Sequence, residues 1–210
     1  MRMSLALLLW CLSVSVQAGT VLVLGDSISA AYGIDKAQGW VSLLDRKLSQ
    51  QCQGLAVKNA SVSGETSAGG LARLPALLAR EQPSLVVIEL GGNDGLRGLS
   101  PTVMQRNLEQ MVTLSKQAGA GVVILGMRMP ANLGEAFRTL FDRAFVTAAK
   151  NQNVPLLPFF LDKVYDQPAL MQDDGIHPAA EAQPQLLENA LTVLAPALAS
   201  QCPQVAEAGR

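Results

Sequence analysis

The chain has 210 residues, a formal charge of −1 and 49% hydrophobic residues. That length suits one domain, large enough to bury a substantial core without disulfides or metals. Near-neutral charge excludes electrostatic attraction to nucleic acid, and an aromatic content of 4% leaves too little for a base-stacking platform.

The first predicted element is a leader, not part of the fold. Arg2 supplies a short positive region, Leu5 to Val16 an apolar stretch, and "VQA" small residues for a cleavage site. The stretch is shorter than the roughly 20 apolar residues of a spanning helix. Cleavage is expected after Ala18, giving an exported protein, periplasmic or secreted, with no membrane span. Cys11 raises the question of a lipid anchor, but it lies inside the apolar run behind bulky Trp10, where a small residue would be expected.

After the leader, short apolar, β-branched runs alternate with helical patterns. Strands are predicted at 20–25, 55–60, 85–90, 121–127 and 154–159, and helices at 39–51, 68–80, 102–118, 135–150 and 179–199. Apolar runs without alternation fit strands covered on both faces. Strand–helix alternation then implies a parallel sheet in a three-layer α/β domain. Five strands fall short of the about eight in a closed barrel. An open, doubly wound α/β sheet over residues 19–200 is expected, with 201–210 as a polar, frayed tail.

In such a sheet the ligand sits beyond the carboxyl ends of the strands. There the chain places "GDSIS", "SVSGETSAGG", "GGNDG", "MRMPANLGEA" and, beyond the fifth strand, "MQDDGIHP". Ser27, Gly64, Asn93 and His177 thereby converge on one edge. A turn or a helix cap accounts for Ser27 on its own, and a glycine-rich loop with Asn at positive φ accounts for Asn93. The set reads differently. His177 is the chain's one histidine, hence the one imidazole able to serve as general base. Asp174, three residues earlier, can reach its Nδ1–H and fix the tautomer. Asp173, at four residues, competes for that place. Pro178 suits the first turn of the last helix, whose positive end would favour a neutral ring. Asn93 offers an amide donor to an oxyanion, and Gly64 and Ser27 offer backbone N–H groups. One histidine and three cysteines make a poor zinc inventory, so no metal and no cofactor is expected.

In this order the blocks resemble the SGNH (GDSL) hydrolase superfamily: "GDSIS", "NASVSGETSAGG", "ELGGNDGLRG" and "DDGIHP". The longer matches "SGETSAGGLARLPALL" and "VPLLPFF…MQDDGIHP" look like its bacterial periplasmic branch, that of thioesterase I, protease I, lysophospholipase and arylesterase. The resemblance implies a flavodoxin-like fold and a serine esterase and thioesterase acting through an acyl-serine. It implies Ser27 as nucleophile, His177 as base and Asp174 as its orienter, with an oxyanion hole of the Ser27 and Gly64 N–H groups and the Asn93 side chain. The partner implied is a small-molecule acyl ester or thioester, handled by a monomer. Asp26, Leu96, Met129 and Pro130 are expected at the substrate, the last three within "GLRGLSP" and "MRMPANLGEAF". A phosphate-binding domain of similar fold would need a G-x-x-x-x-G-K-[ST] loop, which is missing. A non-catalytic binding module leaves the intact constellation unexplained. An α/β-hydrolase would need a second glycine, as in G-x-S-x-G.

Cys52 and Cys202 remain after the leader is removed. Right-handed crossovers put the first and last helices on the same face, with their C-terminal ends together. Cys52 and Cys202 follow those two ends, so a Cys52–Cys202 disulfide is expected, against the alternative of two free thiols.

Overall fold

Val21, Leu22, Val23 and Leu24 are fully shielded from solvent, as are Val86, Val87 and Ile88. Two such runs can bury every side chain only as central strands with helices on both faces. The computed structural model describes residues 19–52 and 54–207, so the expected leader lies outside the described residues. The elements run β1 (Gly19–Gly25), α1 (Trp40–Gln51), β2 (Leu55–Asn59), α2 (Ser67–Glu81), β3 (Leu85–Glu89), α3 (Gly92–Leu96), α4 (Pro101–Gln117), β4 (Gly121–Leu125), α5 (Glu135–Gln152), β5 (Leu156–Leu157), α6 (Gln183–Leu198) and α7 (Pro203–Glu207).

The sheet is parallel throughout, in the order β2-β1-β3-β4-β5. Val23 stands between Asn59 of β2 and Val87 of β3. The chain moves outward from β1 to β2, then returns past β1 to β3, so the crevice opens where β1 and β3 end. Helix α1 packs with α6, while α4 packs between α2 and α5. Right-handed crossovers put the two groups on opposite faces, completing the α/β/α layers. Trp40, Leu44 and Leu48 of α1 and Phe141 and Phe145 of α5 are the large buried side chains of those helices. Each contributes about 1.5–3 kcal/mol relative to exposure.

Three expectations change. The strand expected at 154–159 shrinks to Leu156–Leu157, because Pro155 and Pro158 lack the N–H a longer ladder needs. Its carbonyls still serve the sheet: Ile124 N–H donates to Pro155 O at 3.0 Å and Gly126 N–H to Leu157 O at 2.7 Å. The last helix begins at Gln183, with Pro184 in its first turn, after a separate 3-10 turn at Ala180–Ala182. Pro178 therefore lies outside the helix, bridged to Met171 instead, and the helix's positive end does not begin at His177. Residues 201–207 are not frayed. Cys202 and Val205 are buried, α7 forms, and Gln201 Oε1 accepts from Ser84 Oγ at 2.6 Å. Cys52 and Cys202 are joined by a disulfide, their Cα atoms 5.4 Å apart across 150 residues of sequence.

Candidate active site

β1 ends at Gly25, where a larger residue has no room: a Cβ would meet Glu89 Oε2 at 2.7 Å and Ser29 Cβ at 2.7 Å. The chain then coils tightly, with Ala30 N–H donating to Asp26 O and Tyr32 N–H to Ser27 O, both at 3.0 Å. Asp26 Oδ1 accepts from Ile28 N–H at 3.1 Å, an Asx-type turn that locks Ser27 between them. Ser27 is 8% exposed, and its hydroxyl faces the cleft.

His177 comes from a loop held by its own backbone. Gln172 N–H donates to His177 O at 2.8 Å, and Gln172 Nε2 donates to Tyr32 O at 2.8 Å and Pro178 O at 3.0 Å. One side chain thus fastens the histidine loop to the nucleophile turn. The Tyr32 ring lies beside the imidazole, centroids 4.6 Å apart. Asp174, not Asp173, holds the ring: its Oδ2 is 2.6 Å from His177 Nδ1. Its Oδ1 accepts the Ile176 and His177 N–H groups at 2.9 Å each. The His177 backbone bond and the further bonds to the charged form lower the Asp174 pKa to about 2, so it stays an acceptor. A neutral imidazole therefore carries its proton on Nδ1, leaving Nε2 to accept from Ser27 Oγ at 2.8 Å.

The "GGND" block is not an open turn but helix α3. Gly91 begins it at φ +116°, and a Cβ there would meet Met104 Sδ at 2.8 Å and Phe145 Cζ at 2.9 Å. Asp94 is structural. Its carboxylate accepts Ser67 N–H at 2.8 Å and Ser67 Oγ–H at 2.6 Å, tying α3 to the start of α2. Asn93 faces the cleft, and its Nδ2 donates to Asp26 Oδ2 at 3.1 Å. Gly64 has φ +78°, a conformation that favours glycine, and its carbonyl accepts from Arg97 Nη2 at 2.8 Å. It is not among the residues that line the cleft. Neither the Ser27 nor the Gly64 N–H has an acceptor among the described residues.

Asp26, Leu96, Met129 and Pro130 all line the cleft, which encloses ≈ 680 Å³ of empty space including its open mouth. Sequence reasoning missed Leu161 and Tyr165, from the segment after β5, and Ile176, from the histidine loop, in the same wall. It also missed Glu89 behind the nucleophile turn, although an acid inside the apolar run "LVVIEL" was a visible signal. Among the described residues no group of three or more His, Cys, Asp or Glu side chains is placed to hold a metal ion. The arrangement can move a proton from a serine hydroxyl to an imidazole and meet a developing negative charge with N–H donors.

A model of the GDSL-like Lipase/Acylhydrolase family matches residues 23–183. The chain is 53% identical to Esterase TesA of Pseudomonas aeruginosa over 181 residues, 86% of this chain and 90% of that protein. It is 47% identical to "Thioesterase 1/protease 1/lysophospholipase L1" of Escherichia coli over 167 residues, 80% of this chain and 79% of that one. Among solved structures it resembles the psychrotrophic esterase EstA from Pseudoalteromonas sp., inhibited by monoethylphosphonate. That likeness has a TM-score of 0.82 and 39% identity, covering 86% of this chain and 98% of the other.

Proposed function

Because this chain belongs to the GDSL-like lipase/acylhydrolase family and is a serine-type hydrolase of esters and thioesters, we propose that Ser27, His177 and Asp174 carry its chemistry. The observation that supports this most is the unbroken chain Asp174–His177–Ser27, with links of 2.6 and 2.8 Å. His177 Nε2 takes the Ser27 Oγ–H proton as Oγ attacks the carbonyl carbon of the substrate. The carbonyl oxygen becomes an oxyanion, stabilised by the Ser27 N–H, the Gly64 N–H and the Asn93 amide. Collapse of this intermediate expels the alcohol or thiol, which takes the proton from His177, and leaves an acyl group on Ser27. Water then gives a proton to Nε2 and attacks the acyl carbon. The same collapse releases a carboxylic acid and returns the proton to Oγ. Asp174 stays ionised throughout and stabilises the imidazolium formed in each half.

Leu96, Met129 and Pro130 form an apolar wall for the acyl chain, and the named relatives support esters, acyl thioesters and lysophospholipids as the substrate range. Export follows from the leader expected at 1–18, and the Cys52–Cys202 pairing suits an oxidising compartment. Ser27→Ala and His177→Ala should each lower kcat on p-nitrophenyl butyrate by roughly 10⁴-fold or more while circular dichroism stays native. A folded His177→Ala protein turning over at the native rate overturns the assignment.

A further inference from the structure

We propose that Asp26, whose backbone N–H is held by Glu89, is a positioning residue for the oxyanion hole: its carboxylate holds the Asn93 amide with one N–H free for the substrate. This rests on the reading of Asn93 as an oxyanion donor. Asn93 Nδ2 carries two N–H groups, and one of them is committed to Asp26 Oδ2 at 3.1 Å. An amide fixed before substrate arrives loses no side-chain freedom in the transition state, which is where such a donor gains its value. Asp26 is itself immobile. Its Oδ1 is bonded to Ile28 N–H, it is 2% exposed, and a Cβ on Gly92 would lie 3.3 Å from its Oδ2. Gly92 therefore lets α3 approach closely enough for Asn93 to reach it.

Behind Asp26 lies a second carboxyl. Glu89 is wholly buried, and its Oε2 accepts from Ser29 Oγ at 2.7 Å and from Asp26 N–H at 3.3 Å. Trp40 Nε1 donates to Ser29 Oγ at 3.2 Å, joining α1 to the same network. Burial, then the neighbouring Asp26 charge, pushes the Glu89 carboxyl far up, so the proton stays there and Asp26 carries the charge. Burial raises Asp26 to about 6, against the bonds from Ile28 and Asn93 and the pull of His177, while Asp94 adds to the rise. The titratable groups facing Asp26 are thus Glu89 from β3, Asp94 from α3 and His177 from its loop. A charged acceptor holds an amide more strongly than a neutral carboxyl does. The hold on Asn93 accordingly weakens as pH falls through about 6.

The test is a double-mutant cycle on p-nitrophenyl butyrate hydrolysis. Asp26→Asn keeps the side chain's size but gives up the charge and one acceptor oxygen. It should lower kcat by roughly 10–100-fold with little change in KM, a partial loss of one oxyanion donor. In an Asn93→Ala background the same substitution should change kcat less than about twofold, because its route is already cut. Equal losses in both backgrounds overturn the proposal. The kcat ratio of wild type to Asn93→Ala supplies a second reading with Asp26 intact, so it stands even where Asp26→Asn does not fold. The ratio should be largest above about pH 7 and shrink as pH falls through about 6. A ratio that is flat from about pH 5 to 8 overturns the proposal. Asn93→Ala with native kcat at every pH would instead remove the donor role of Asn93, and this inference with it.

Discussion

Two aspartates flank the Ser27–His177 pair, and the fold treats them in opposite ways. Asp174 lies on an outer loop with its side chain 40% exposed, and local hydrogen bonds take its pKa down to about 2. Asp26 is 2% exposed at the end of a central strand, and burial takes its pKa up to about 6. The first is built to stay charged whatever the reaction does around it. The second is buried where charge is costly, and it loses that charge as pH falls through about 6. Identical side chains thus acquire different duties from solvent access and from which donors the backbone offers. The histidine loop carries the charge that catalysis leans on, whereas the nucleophile turn carries geometry.

The sharpest way to break this contrast is at the loop. Asp174→Asn should lower kcat by roughly 10³–10⁴-fold, since an amide no longer fixes the tautomer or stabilises the imidazolium. Asp173→Asn, one residue away, should stay within about twofold, as for a surface change away from such features. Comparable losses in the two variants would mean that His177 is not oriented by Asp174. The carboxyl's role in holding its loop is also pH-robust. Its pKa is depressed, so its contribution is present above the ordinary value of 3.8 and is lost only as pH falls through about 2.

A smaller effect sharpens the other side. Glu89 has a raised pKa, so its contribution to stability is full below the ordinary value of 4.5 and declines as pH rises above it. The folded chain keeps a proton that the unfolded chain gives up. Glu89→Gln removes that dependence. Its Tm relative to wild type should climb as pH goes from about 5 to 8, by at most roughly 3–5 °C per pH unit. A Tm difference that does not vary with pH would mean that Glu89 is ionised in the fold, against the effect of burial on which the Asp26 side of the contrast also rests.

Much of this was legible in the residues. Apolar runs at 20–25 and 85–90 announce central strands, because nothing but burial on both faces suits them. The three-residue spacing of Asp174 and His177 leaves a carboxylate within reach of a ring whatever the wider fold. The short β5 was harder to read, since its prolines limit donors without making the run less apolar. The start of α6 was misplaced because Pro178 and Pro184 both suit a first turn, and the bridge from Pro178 to Met171 decides between them. The partner of Asp26 could not be read from spacing at all. Asn93 lies 67 residues away, and only the register of β1 against β3 brings the two together.

The central claim is that Ser27 is the group acylated, with His177 as its base. It is met most directly by mass spectrometry of the protein after reaction with a p-nitrophenyl alkylphosphonate, which traps an activated serine in a tetrahedral adduct. The account predicts one adduct per chain, located on the peptide containing Ser27, and no labelling on the same time scale in folded Ser27→Ala or His177→Ala protein. An adduct on any other residue, or undiminished labelling of Ser27→Ala, would contradict it.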